Sequence, residues 1–442
     1  MVIVSTPTKS LKGTFSVPGD KSISHRALIL GGLAIGQTEI QNILEADDVI
    51  QTAEALEAMG TIVDRNVGQK TWCITGRGIG GLREPKNVLD LKNSGTGVRL
   101  LMGLVSTHPI QVHFTGDSSL RSRPMGRISF PIQEMGAQVI AREKNWLPLT
   151  IIGTKYPMPI TYELPIPSAQ VKSAILLAGL NAPGETTVIE NYPSRDHTEL
   201  MLRHFGAKIT IEDKTNTRRL ITLLGQPELE AQKLKIPGDP SSAAFPIVAA
   251  LITPNSKITL KNVGINPLRT GLLETLLEMG GRIQIRNKRK KAGEAVGDLI
   301  VESSELKGVV IPPTRAPSMI DEFPILSIAA AKAKGTTQML GLSELRLKES
   351  DRLSAIAEGL KICGTQVKIE KNNLIVRGAE KIIPNDAEIK TQMDHRIAMS
   401  FLIMGMAANS PIHIDDGDFI KSSFPNFIDN MNKLGGKISK KV

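Results

Sequence analysis

Six times along the chain, a turn or loop signal gives way to a helix start carrying small, polar or charged residues, followed by residues at apolar helical spacing. The starts are Pro18-Gly19-Asp20-Lys21-Ser22, Asn93-Ser94-Gly95-Thr96, Ser168-Ala169-Gln170, Pro237-Gly238-Asp239-Pro240-Ser241, Asp321-Glu322-Phe323-Pro324 and Met393-Asp394-His395-Arg396. They recur at roughly 70 to 80 residues, a period too long for a solenoid. Strand-like stretches at 36–40, 111–115 and 186–190 follow the first three, and second helices close on Met59-Gly60, Met135-Gly136 and Phe205-Gly206. Each unit therefore reads as a small α/β layer, and the chain as six of them.

The turns Pro18-Gly19-Asp20 and Pro237-Gly238-Asp239 are near twins, which divides the six copies into halves. A chain of 442 residues exceeds one ordinary core. Two domains are expected: domain I from 1–19 plus 237–442, and domain II from 20–236. The chain then crosses between them near 18–20 and 236–239, and paired crossovers suit a closing hinge. No run approaches the roughly 20 apolar residues of a membrane span. Met1-Val-Ile-Val-Ser-Thr lacks the basic and apolar regions of a secretory signal. Cys73 and Cys363 alone make neither a disulfide framework nor a metal knuckle, so a reducing, cytoplasmic setting is expected.

The functional signal is cationic. Lys21, Ser22 and Arg26 share the first helix start with unpaired backbone N–H groups, which together form an anion receptor. Helix starts and neighbouring loops also supply Arg123, Arg195, Lys348, Arg352 and Arg396, against two prominent carboxylates, Asp321 and Glu349. Arg forks match phosphate and carboxylate geometry, and a phosphate ester carries roughly −1.5 to −2 charges near neutral pH. Seven cations against two carboxylates can serve two small polyanions. Lys348 and Arg352 are read as one turn apart on a helix, with an intrahelical ion-pair face as the plain alternative. The net charge of +10 also admits a nucleic-acid partner. However, aromatic residues make up only 3% of the chain, too few for a base-stacking platform, and the run 286–291 reads as a solvated hairpin tip. Asp20 stands where a P-loop needs Gly, and no Gly-x-Gly-x-x-Gly follows the first strand. The histidines lack metal-ligand spacing, so no metal, no cofactor, no nucleic acid and no membrane are expected.

The same residues resemble the 5-enolpyruvylshikimate-3-phosphate synthase family, the 3-phosphoshikimate 1-carboxyvinyltransferases. The matching motifs are Pro18-Gly-Asp-Lys21-Ser22-Ile-Ser-His-Arg26, Asn93-Ser-Gly95-Thr96, Arg121-Ser-Arg123-Pro124-Met125, Ser168-Ala169-Gln170, Asp321-Glu-Phe-Pro, Lys348-Glu349-Ser-Asp-Arg352 and Asp394-His395-Arg396. They stand in the family's order over nearly the whole chain. Ser168-Ala-Gln-Val-Lys-Ser-Ala and Ser194-Arg195-Asp-His-Thr resemble the bacterial branch called class II. The resemblance implies two pseudo-threefold domains, each of three βαβαββ-type units, with the active site in the inter-domain cleft. It also implies transfer of the enolpyruvyl group of phosphoenolpyruvate to the 5-hydroxyl of shikimate 3-phosphate, releasing phosphate. That reaction is a step towards chorismate and the aromatic amino acids, and glyphosate is its expected inhibitor.

Carried over by resemblance, Lys21, Ser22, Arg26, Ser168, Ala169, Gln170, Arg195, Asp321 and Lys348 hold shikimate 3-phosphate. Lys21, Gly95, Arg123, Gln170, Arg352 and Arg396 hold phosphoenolpyruvate. Asp321 is the expected base for the 5-hydroxyl, with Glu349 and Lys21 serving the methylene proton. A family lysine near the last motif aligns with Ser422, next to Lys421. The expected assembly is a monomer. The neighbouring alternative is the sister transferase acting on a UDP-amino sugar, whose usual loop cysteine has no counterpart around Cys73 or Cys363.

Overall fold

Side-chain caps close most of the repeated helix starts. Asp20 Oδ1 accepts from the Ile23 amide (2.9 Å), Ser94 Oγ from Gly97 (3.2 Å), Ser168 Oγ from Val171 (3.4 Å), Asp239 Oδ1 from Ser241 (2.7 Å) and Asp394 Oδ1 from Arg396 (2.9 Å). The helices they open are Lys21–Leu33, Gly95–Ser106, Ala169–Gly179, Pro240–Ile252 and His395–Ala407, with Phe323–Lys332 as the sixth. These helices are apolar nearly all round, so they bury nearly every side after the first turn. The computed structural model describes residues 1–66, 71–215, 217–384 and 388–440.

The chain forms two compact units. One comprises Met1–Pro18, Pro237–Arg289 and Ala295–Val442; the other comprises Gly19–Ile236 and Lys290–Glu294. Each holds its own hydrophobic core and three of the buried helices. Among the described residues each unit also has three small sheets.

Four of the six sheets share one plan, and a fifth differs only in taking its parallel edge strand from later in the chain. A leading strand lies parallel to the strand after the buried helix; two further strands are antiparallel, the last in sequence sitting between the other two. In the sheet of Thr161–Glu163, Thr161 pairs with Thr187 in parallel, and Val188 with Ile221 and Ile211 with Ile221 antiparallel. The sixth sheet borrows its middle strand from the start of the chain. Ile3–Ser5 lies antiparallel to both Ile412–Ile414 and Ile438–Lys440. Similarly, Lys233–Lys235 lies parallel to Gln37–Gln41, completing the first sheet of the other unit from that unit's end. Each unit is thus closed by its own last or first strand, which makes its three layers interdependent.

A glycine follows the last strand in four layers, at Gly76, Gly153, Gly225 and Gly378. A Cβ there would lie 2.0, 1.9, 1.8 and 1.7 Å, respectively, from the carbonyl oxygens of Ala34, His108, Ala182 and Ala333, just past the end of the buried helix. Only a residue without Cβ lets sheet and helix approach this closely. The basic run 286–291 lies within the strand Arg282–Lys291 and not at its tip, which is Ala292-Gly293; Ala292 packs against the core of the second unit.

Candidate active site

In the unit built on Gly19–Ile236, most of the expected site residues fall at the starts of the three buried helices, while Arg123 and Arg195 lie in loops. Lys21 Nζ lies 2.8 Å from Asp48 Oδ2, both largely withdrawn from water. Arg26 is buried. Its Nε donates to Thr198 Oγ1 (2.6 Å), Nη1 to the Ser22 carbonyl (2.8 Å) and Nη2 to Ser173 Oγ (2.7 Å). Burial pulls the Arg26 pKa down to about 10, which still leaves it charged at neutral pH. His25, beside it, donates to or accepts from Thr52 Oγ1 at 2.8 Å. Burial, then Lys21 and Arg26, hold its pKa well below the usual imidazole range.

The Gly95 and Ala169 helices are tied at their starts. Gln170 Nε2 donates to Thr96 Oγ1 (3.0 Å), and Arg99 Nη1 donates to Gln170 Oε1 (2.9 Å). Arg123 Nη2 is aimed by Asn93 Oδ1 (2.6 Å) and Ser119 Oγ (2.9 Å). Gly95 lies between the two guanidiniums: a Cβ there would stand 2.9 Å from Arg123 Nη1 and 3.2 Å from Arg99 Nη1. Ser168 spends its hydroxyl on the helix cap, Ala169 follows it as the first helical residue, and Arg195 is half-buried in the loop before His197–His204.

The other unit gathers the remaining residues around Asp321. Arg352 Nη1 lies 3.3 Å and Lys348 Nζ 3.5 Å from Asp321 Oδ1, and Arg396 Nη1 donates to the Asp321 carbonyl (3.1 Å). Arg352 also contacts Glu349 and donates through Nε to Asp394 Oδ2 (2.7 Å). Burial opposes charge on Arg352, but Asp394, Glu349 and Asp321 outweigh it and raise its pKa. Burial likewise opposes the Asp394 carboxylate, and Arg352 reverses that effect and lowers its pKa.

The expected helical spacing of Lys348 and Arg352 is not found. Ser343–Leu347 is a short 3₁₀ turn, Lys348 is extended, and the helix Arg352–Ile362 begins only after its Asp351 cap. The intrahelical ion-pair face therefore falls away, and the two cations meet through Asp321 instead. Ser422 Oγ is 3.4 Å from His395 Nδ1. Burial pushes the Cys363 thiol up to about 12 and raises Cys73 as well, which makes both poor nucleophiles at neutral pH. Among the described residues, no group of three His, Cys, Asp or Glu side chains is placed to hold a metal ion.

Asp48 and Arg99 belong to the cluster of the Gly19–Ile236 unit, and motif reading overlooks them. Asp48 reads locally as a first-turn acid of Asp47–Ala58, and its partner Lys21 is 27 residues away. Arg99 sits one turn inside the Gly95 helix, a position signalled only by its spacing from Gly95.

The profile of the EPSP synthase (3-phosphoshikimate 1-carboxyvinyltransferase) family matches residues 5–431. The chain belongs to the EPSP synthase family. It is 58% identical over 429 residues to the 3-phosphoshikimate 1-carboxyvinyltransferase of Paramagnetospirillum magneticum, covering 97% of this chain and 96% of that protein. It is 54% identical over 433 residues to the enzyme of that name from Parvibaculum lavamentivorans, covering 98% and 96%. Among solved structures it is similar to EPSP synthase from Acinetobacter baumannii, with a TM-score of 0.87 and 41% identity over 99% of this chain and 100% of that one. Membership over this extent brings the two-domain α/β architecture with it. No helix among the described residues is long and apolar enough to cross a membrane.

Proposed function

We propose that this EPSP synthase family member transfers the enolpyruvyl group of phosphoenolpyruvate to the 5-hydroxyl of shikimate 3-phosphate, giving 5-enolpyruvylshikimate 3-phosphate and phosphate. The single observation that carries this reading is the family match over residues 5–431. The arrangement of charge supports it. The Gly19–Ile236 unit supplies Lys21, Ser22, Arg26, Ser168, Ala169, Gln170 and Arg195 for shikimate 3-phosphate, and Gly95 and Arg123 for phosphoenolpyruvate. The other unit supplies Asp321 and Lys348 to the former substrate and Arg352 and Arg396 to the latter, while Lys21 and Gln170 serve both.

In this reading Asp321 takes the 5-hydroxyl proton as the oxygen attacks C2 of phosphoenolpyruvate. Glu349 and Lys21 are the groups for the proton that the methylene carbon gains. The tetrahedral intermediate then loses that proton as phosphate leaves, with the departing charge held by fixed Arg and Lys donors. The protein acts as a cytoplasmic monomer without cofactor.

Phosphate release with shikimate 3-phosphate plus phosphoenolpyruvate tests the assignment. Release only when a UDP-amino sugar replaces shikimate 3-phosphate would transfer the chain to the sister reaction. Salt-sensitive retention of RNA, without release of phosphate, would support the nucleic-acid alternative.

A further inference from the structure

The helix start 168–170, the loop carrying Arg195 and the Arg26 side chain all depend on groups that touch neither substrate in the reading above. At their centre is a lysine withdrawn from water. Lys172 Nζ lies 3.0 Å from Glu190 Oε2 and 2.6 Å from Glu199 Oε1, and all three side chains are essentially without exposed surface. It also donates to the Ser194 carbonyl (3.3 Å). Glu190 returns to the same residue: its Oε2 accepts from the Ser194 amide (3.4 Å) and its Oε1 from the Ser194 hydroxyl.

The strand pattern explains why a carboxylate is buried here. Glu185–Glu190 alternates, with Thr186, Val188 and Glu190 on the inward face. A second seam runs beside the first. Ser173, adjacent to Lys172, exchanges a hydrogen bond with Thr198 (2.6 Å), and both hydroxyls receive Arg26. Burial opposes charge on Lys172, yet Glu199 and Glu190 more than offset it and keep the ammonium charged.

We propose that Lys172 is a positioning residue for the shikimate 3-phosphate site, its buried ammonium locking the 168–170 helix start to the loop that carries Arg195. The proposal rests on the functional reading above. A buried ion cluster adds little net stability compared with apolar residues of the same volume. It does fix geometry, because each partner leaves its hydrogen bond only at its full desolvation cost. With the helix start and the loop joined through one ammonium, Ser168, Gln170 and Arg195 are held at set separations before substrate arrives.

The test measures KM for each substrate, kcat and thermal midpoint in wild type, Ser194→Ala and Lys172→Met. Ser194→Ala removes the hydroxyl link without leaving a charge unpaired, so it remains informative should Lys172→Met not fold. The expected result is a rise of about tenfold in KM for shikimate 3-phosphate, with KM for phosphoenolpyruvate and kcat within about twofold. A folded Ser194→Ala enzyme with KM for shikimate 3-phosphate unchanged, or with both KM values raised equally, overturns the positioning role. Calorimetry on wild type separates the two levels: no affinity for shikimate 3-phosphate there would overturn the functional reading itself.

Discussion

Arg352 and Asp394 are joined out of contact with water: Nε lies 2.7 Å from Oδ2, and neither side chain has exposed surface. The same carboxylate caps the helix that opens at His395, accepting from the Arg396 amide at 2.9 Å. One aspartate therefore sets the positions of two of the expected phosphoenolpyruvate ligands.

Removing that charge leaves Arg352 buried with only Glu349 and Asp321 to balance it. Asp394→Asn is expected to cost about 3–5 kcal/mol, the range for breaking a buried pair, read from urea denaturation. The acid limb gives a second readout. The Asp394 pKa is lowered in the fold, so its contribution is present above the unfolded value of about 3.9 and is lost as pH falls below it. The variant should lose part of that acid dependence; an unchanged acid limb would count against the assignment.

The helix starts were legible because caps and turns are local. Asp20, Ser94, Ser168 and Asp394 each announce themselves within a few residues of the helix they close. The residues joined by long-range contact were not. Nothing near Lys21 points to Asp48, and nothing near Arg352 shows that Lys348 reaches Asp321 from an extended segment and not from a helix. The borrowed strand Ile3–Ser5 was equally hidden, since its partners lie some four hundred residues away. The glycines after the last strands were visible in sequence but carried no signal, because their φ angles lie outside the left-handed region. What demands glycine is a carbonyl just past the helix end, contributed by a different part of the layer.

That close approach can be separated from ordinary backbone preference. A Cβ on Gly153 would lie 1.9 Å from the His108 carbonyl oxygen, whereas Gly335, at φ +91°, has nothing within 4 Å of its would-be Cβ. Gly153→Ala should lose about 3 kcal/mol by overpacking, and Gly335→Ala about 1 kcal/mol by backbone strain. Thermal melts of the pair check the order, and equal losses would show that the sheet relaxes freely there.

His25 is expected to remain neutral while the protein is folded. Its pKa lies well below 6.5 in the fold, so the unfolded chain takes up a proton that the native state refuses. Its share of stability is complete above about pH 6.5 and declines as pH falls below it. The His25 imidazole resonances should therefore stay constant from pH 7.5 to 5.5 by NMR. A His25 titration centred near 6.5 would contradict this.

Gly95 tests the phosphoenolpyruvate half of the reading. Its added Cβ would press on Arg123 Nη1 and Arg99 Nη1, the ends of two side chains that can shift. Gly95→Ala should fold normally, raise KM for phosphoenolpyruvate about tenfold (about 1.4 kcal/mol) and weaken glyphosate inhibition further. Equal loss for inhibitor and substrate would refute the unequal effect.

Asp321 carries the sharpest expectation because binding and turnover should part company there. Its carboxylate lies beside Lys348 and Arg352, and its carbonyl holds Arg396. Asp321→Ala keeps that backbone carbonyl and all three cations, so both anionic substrates should still bind without a large change in calorimetric affinity. With no group to take the 5-hydroxyl proton, kcat should fall by about 10²–10⁴-fold. Near-normal kcat in Asp321→Ala would remove it as the base and shift the assignment to Glu349 or Lys21, whereas loss of shikimate 3-phosphate binding would make it a ligand first.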